Sequence, residues 1–212
     1  VRLILVPGWG FGPDCWHGVE EMLPAARRAA VEHAAWDAIP VAGRPCVLVG
    51  WSLGGFAALA AAAAHPATVC GVLLVAAGAR FPAAPGRPGA NPRALARMRQ
   101  RLLTEPVATL RDFARLCGPA VAPDTFAADA LAHWGVDRLA AGLEALATLD
   151  TPAAPCPVHL LHGTADAVVP VAAAQWMVDT AGAVATLLEG ADHALPLSRP
   201  GEVARAIGVL LR

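Results

Sequence analysis

The chain has 212 residues, 56% of them hydrophobic and 16% charged, with a formal net charge of −1 at pH 7. That length buries one good core and suits a single α/β domain, and a charge near zero gives no electrostatic case for nucleic acid as a partner. No apolar run reaches the roughly 18–20 residues of a membrane span, and the five scattered cysteines show neither zinc spacing nor a disulfide framework, so a reducing cytoplasm is the expected compartment.

All 16 basic residues are Arg; with the many alanines, this reads as genome composition rather than function. Cys46, Cys70 and Cys156 sit in or beside apolar runs and read as small core hydrophobes.

The first expected strand, near 2–7, ends in Gly8-Trp9-Gly10. The run is too short for a signal peptide. Gly8 and Gly10 would let the backbone around Trp9 approach a ligand closely. A Trp between two glycines at a strand's carboxyl end fits a pocket wall better than a core aromatic. A helix is expected near 14–25 and a strand near 29–35.

The most informative stretch follows. A strand near 45–50 runs into Gly50-Trp51-Ser52-Leu53-Gly54 and then an Ala-rich helix near 53–65. Gly-x-Ser-x-Gly alone is a weak pattern, since it also describes an ordinary β–α turn with a helix-capping serine. Between strand and helix it is a nucleophile elbow. The turn lifts Ser52 Oγ over the first helical amides, where a developing anion meets free N–H groups and the positive end of the helix dipole.

After a strand near 69–76 the pattern changes. Pro and Gly cluster at 82–92, and helical periodicity then runs to about Leu149, punctuated by Pro106, Gly118-Pro119, Pro123 and Gly135 into about four short helices. An insertion at about 80–149 reads as a helical lid over Ser52. Leu95, Met98, Leu102, Leu103, Leu110, Phe113 and Leu116 are its candidates for an acyl channel. Arg93, Arg97 and Arg101 recur at i, i+4 and i+8, and Arg111 pairs with Arg115 at i+4, each set forming one helical stripe. Spacing alone leaves a solvated face and a landing surface for an acidic partner equally open.

The last elements are a strand near 157–162, a helix near 171–181, a strand near 184–189 and a helix near 201–211. Asp166 falls in the loop after the first of these strands and His193 in the loop after the second. Ser52, Asp166 and His193 thus follow the order Ser, acid, His, each beyond the carboxyl end of a strand. Asp166 could instead cap the following helix, and His193 could be a hydrogen-bonded loop histidine. His162 competes as base but precedes the acid. The joint occurrence favours a triad, with an oxyanion hole from the amides of Leu53 and Trp9. The nearly continuous apolar strands suit a mostly parallel, six-stranded, doubly wound sheet with helices on both faces.

These residues carry a resemblance. Gly8-Trp9-Gly10, Gly50-Trp51-Ser52-Leu53-Gly54-Gly55, Gly142-Leu143-Glu144-Ala145-Leu146 leading to Thr148 and Asp150, Asp166 with Val169-Pro170, and Ala191-Asp192-His193-Ala194 with Pro196 are similar to the BioH-type carboxylesterases of the α/β-hydrolase superfamily. These enzymes demethylate pimeloyl-[acyl-carrier protein] methyl ester in biotin synthesis. The likeness runs over nearly the whole chain. It implies an α/β-hydrolase fold, a serine carboxylesterase acting through an acyl-enzyme, no cofactor and no metal, an acyl-carrier protein as carrier of the substrate, and substrate contacts at Trp9, Leu53 and Phe113. Carrier contacts at Arg93, Arg97, Arg101, Arg111 and Arg115 carry over only as a role, because these arginines do not align one for one with the family's.

The chain also departs from the family. It opens directly on the first strand, so the amino-terminal hairpin is expected to be absent. Pro7 stands where a His-Gly pair is usual, and the stretch from Gly10 to Cys46 is short by a helix. A generic short-chain carboxylesterase and an acyl thioesterase remain alternatives with the same triad. A non-catalytic binding protein would have no use for it.

Overall fold

A computed structural model describes residues 1–211. Six strands, β1 (Arg2–Val6), β2 (Val31–His33), β3 (Cys46–Trp51), β4 (Val69–Val75), β5 (Val158–Gly163) and β6 (Val184–Leu188), form one sheet in the order β2-β1-β3-β4-β5-β6. Every pairing is parallel, so the expected mostly parallel sheet is wholly parallel among the described residues. β3 is buried along its whole length, and β1 and β4 nearly so. This is why their sequences are continuous apolar runs rather than alternating ones. The edge strand β6 is largely exposed.

The chain runs outward from β1 to β2 and then returns to place β3 on the other side of β1. The reversal opens a crevice at the carboxyl ends of β1 and β3. Val6 pairs with Gly50 there, so the loop holding Trp9 and the turn holding Ser52 leave the sheet side by side.

Helices α1 (His17–Met22), α2 (Ala25–Arg28), α3 (Leu53–Ala64), α7 (Val171–Ala181), α8 (Leu195–Ser198) and α9 (Pro200–Leu210) cover the sheet. In α3 the small side chains Ala57, Ala58 and Ala62 are buried, and they let the helix lie close against β3 and β4. The helix expected over 14–25 is broken into a 3₁₀ turn at Pro13–Trp16, α1 and α2. Pro24, which starts the last piece, cannot donate to a continuing helix. The strand expected over 29–35 shrinks to three residues, and residues 34–45 hold no helix.

Between β4 and β5 lies a helical insertion of α4 (Pro92–Thr104), α5 (Pro106–Cys117) and α6 (Pro123–Thr148). Each begins on a proline at its first position, where a missing N–H costs nothing. Asn91 Oδ1 caps α4 by accepting the Arg93 amide at 2.9 Å. Gly135, at φ 67° and ψ 164°, kinks α6 into two runs, so four helical segments stand where about four are expected. Arg80 and Arg87 both pair with Asp150, at 3.0 and 2.6 Å, and clasp the two ends of the insertion together. No helix among the described residues is long and apolar enough to cross a membrane.

Two expectations about packing need correction. Leu102 and Leu110 are fully buried and Leu103 is exposed, and none of the three is among the residues that line the cavity at Ser52. Of the cysteines, Cys46 is buried, but Cys70 is exposed and Cys156 only half-buried. Cys70 lies near the open start of β4 and points away from the core that Gly71 to Val75 enter.

Candidate active site

Ser52 stands between the last residue of β3 and the first of α3, with φ 52° and ψ −121°. A non-glycine residue at such angles stores about 1–3 kcal/mol of strain. The surrounding glycines hold it there. A Cβ at Gly50 would fall within the backbone of Gly54 and Gly55, and one at Gly54 would fall on the carbonyls of Val6 and Pro7. Gly55 could carry one only 2.5 Å from Ala77 Cβ. The elbow is thus wedged against both neighbouring strands. Ser52 does not cap α3 with its side chain, which removes the ordinary helix-cap account of this serine. Leu53 is the first helical residue, so its amide has no partner within the helix.

Asp166 and His193 come from the loops after β5 and β6. Asp166 Oδ2 accepts from His193 Nδ1 at 2.8 Å, and both side chains are fully buried. Asp166 Oδ1 accepts the amides of Val168 and Val169, each at 2.8 Å. The carboxylate therefore folds its own loop into a turn and does not cap α7, which begins after Pro170. Burial pushes the Asp166 carboxyl up, but the charge and hydrogen bond of His193, then His162 and the Val169 amide, outweigh it and hold it below its ordinary range.

The two loops are pressed together. A Cβ at Gly163 would run into the carbonyl of Ala191, and the Ala165 amide donates to that same carbonyl at 3.0 Å. Trp51, the residue before Ser52, donates its indole N–H to the His193 carbonyl at 2.9 Å. Its ring centroid lies 5.9 Å from the imidazole. His193 Nε2 is buried and has no hydrogen-bond partner among the described residues. An imidazole fixed through Nδ1 and bare at Nε2 can take up a proton there; Nε2 makes no hydrogen bond to Ser52.

A cavity of about 650 Å³ opens from Ser52. Its wall includes Trp9, Phe113, Leu95, Met98, Leu143 and Leu146, and it is mainly apolar. Trp9 is nearly buried. Its indole N–H donates to the Leu139 carbonyl at 2.8 Å, and its ring meets Phe113 edge-on at 4.9 Å. It is thus both a packed aromatic and a pocket wall. Gly142 is required under it, since a Cβ there would sit 2.8 Å from the indole. Leu116 also lines the cavity although it is half exposed, which places it at the mouth.

The arginine stripe is less cationic than its spacing suggests. Arg101 is paired with Glu105 and Asp112 at 3.0 and 2.6 Å. Arg115 binds Asp112 at 2.6 Å and Arg111 binds Asp124 at 2.5 Å. Among the described residues only Arg93 and Arg97 of the five have no ion-pair partner, and Arg97 lines the cavity beside Arg101 and Asp112. Two of these pairings, at i+4 and i+3, could have been read from spacing. The bonds of Trp51 to His193 and Trp9 to Leu139 span more than 100 residues and leave no local signal.

The α/β hydrolase family model matches residues 27–206. The pimeloyl-[acyl-carrier protein] methyl ester esterase of Aromatoleum aromaticum is 33% identical, with 99% of this chain and 98% of that protein covered. The enzyme of the same name from Aeromonas hydrophila is 29% identical, covering 97% and 93%. In fold, the chain is similar to an esterase from Exiguobacterium antarcticum, with a TM-score of 0.82 at 16% identity over 100% of this chain and 92% of that one. The parallel sheet with its elbow, the full-length likeness to esterases and the family match agree: the chain belongs to the α/β hydrolase family, with the BioH-type carboxylesterases, and is a carboxylic ester hydrolase.

Proposed function

We propose that the chain is a serine carboxylesterase that removes the methyl group from a pimeloyl-[acyl-carrier protein] methyl ester, with Ser52 as nucleophile, His193 as general base and acid, and Asp166 as its orienting acid. The observation that carries the reading is the cavity. Ser52, Trp9 and Phe113 line one apolar space beneath the inserted helices, the shape an aliphatic acyl chain needs with its ester carbonyl at the serine. The nearly full-length likeness to enzymes named for this substrate supports the choice of ester.

In this mechanism Ser52 Oγ attacks the carbonyl while His193 Nε2 takes the proton. Asp166 fixes the Nδ1–H tautomer and stabilises the imidazolium. The amides of Leu53 and Trp9 receive the oxyanion, one such donor being worth about 3–4 kcal/mol. His193 then protonates the leaving methanol, and water activated by the same imidazole releases the acid and restores Ser52. The inserted helices act as a lid and keep bulk water from the acyl chain.

A second reading is favoured by one specific observation. Three of the five lid arginines are already paired with acids within the insertion, most of them across from one helix to the next, which weakens the cationic face a carrier would meet and favours a general short-chain esterase. The two readings separate on kcat/KM. A carrier-specific enzyme should prefer the pimeloyl-carrier methyl ester to p-nitrophenyl acetate by orders of magnitude, and a general esterase should prefer the small ester.

A further inference from the structure

His162 is a fully buried histidine that the mechanism above does not use. It is the penultimate residue of β5, four positions before Asp166. Its Nε2 lies 2.9 Å from the Val169 carbonyl and 3.5 Å from Asp166 Oδ2. Its Nδ1 is buried with no partner among the described residues.

The proton arrangement follows from these contacts. A carbonyl can only accept, so Nε2 carries the hydrogen and donates it to Val169. The longer approach to Asp166 is not a hydrogen bond, which leaves Oδ2 to His193 Nδ1 at 2.8 Å. A second proton on the bare Nδ1 would have no acceptor, so the ring is neutral. Burial pushes its pKa down and prevails over the opposing pull of Asp166 and Val169. The charged and titratable groups around it are Asp166 and His193, with Asp192 and Cys117 beyond them at the same cluster. Its strand partner is the apolar Leu187.

Val169 is the link. Its amide donates to Asp166 Oδ1 at 2.8 Å, and its carbonyl takes the His162 proton. One peptide unit on either side is therefore pinned, from above by the carboxylate and from below by the histidine. Without that donor the buried Val169 carbonyl is unsatisfied, and the turn that aims Asp166 can relax.

We infer that His162 is a positioning residue for the catalytic acid: through the Val169 carbonyl it holds the Asp166 turn in the one geometry that leaves Oδ2 to His193. This rests on the triad reading above but not on any particular ester. Its neutrality is part of the role, since a cation at this place would compete with the His193 imidazolium for the Asp166 charge.

The test compares His162→Gln with His162→Asn, using p-nitrophenyl acetate and Asp166→Asn as reference. Gln places an amide N–H near the Nε2 position. Asn carries the same group too short to reach Val169. The expected result is near-normal kcat for Gln. For Asn, kcat should fall on the order of 10- to 100-fold, the scale of a roughly 1 Å misplacement, at little-changed KM. The acid limb of its pH profile should move to lower pH, because an imidazolium less well paired with Asp166 is easier to deprotonate. Wild-type kcat and an unmoved acid limb in the Asn variant would overturn the inference. So would equal losses in Gln and Asn with no shift of the limb, which would make His162 a matter of packing only. If Asp166→Asn itself is fully active, the triad reading fails instead, a distinguishable outcome.

Discussion

Trp51→Phe tests the bond between the elbow and the base loop. The substitution removes one N–H and part of one ring, and the remaining ring fits within the space of the old. The His193 carbonyl then loses the donor that sits 2.9 Å away, inside a residue with no exposure. An unsatisfied buried acceptor costs about 1–3 kcal/mol, and the volume left by the indole adds about 1 kcal/mol. The sum is about 2–4 kcal/mol, which for a chain of this size lowers the melting temperature by roughly 4–16 °C. In the proposed mechanism the same carbonyl belongs to the histidine that takes the Ser52 proton, so kcat on p-nitrophenyl acetate should fall at least about tenfold while KM changes little. Calorimetry and steady-state kinetics on one preparation read both effects. A variant that melts within a degree of the parent and keeps its kcat would refute the idea that the elbow anchors the histidine.

Three further outcomes are expected. Ser52→Ala should lose on the order of 10³-fold or more in turnover with no loss of melting temperature, since the Ser52 side chain accepts no helix-cap hydrogen bond; near-wild-type turnover in the folded variant would end the nucleophile assignment. Activity should fall toward acid as a single protonation, because the depressed pKa of Asp166 keeps it ionised below the ordinary carboxylate range; the folding stability that this depression supplies is present above the ordinary carboxylate range and is lost only as pH falls through the lowered value. A two-proton acid limb would contradict this. Arg97→Glu should raise KM for a carrier-bound ester, in a salt-dependent way, more than Arg111→Glu does, because Arg97 has no ion-pair partner among the described residues and Arg111 is held by Asp124; equal effects on a small ester would point to a misfolded lid.

The sequence was most legible where chemistry is local. Gly50, Ser52 and Gly54 announce the elbow because the strand before and helix after are written next to them. Asp166 and His193 could be placed because each follows an apolar strand in the required order, and the structure brings these two into one hydrogen bond. Breaks at Pro106, Pro123 and Gly135 were readable because proline and glycine act on the backbone directly. What stayed hidden depends on contacts far along the chain. Leu102 and Leu110 look like Leu95 in a helical pattern, and only the packing of α4 and α5 against α6 decides which of them meets the cavity. The pairing of Arg111 with Asp124 crosses from one helix to the next. His162 was legible only as a misplaced base. Its bond to Val169 requires the folded turn.

The central claim is that the ester cleaved is the distal methyl ester of a carrier-bound acyl chain, at Ser52. The most direct measurement is the intact mass of pimeloyl-carrier methyl ester before and after incubation with the enzyme, with Ser52→Ala in parallel. The account predicts a carrier lighter by one methylene unit, its thioester intact, and no change with the variant. Release of free carrier thiol would make the enzyme a thioesterase. An unchanged carrier beside rapid hydrolysis of p-nitrophenyl acetate would contradict the carrier-bound substrate altogether.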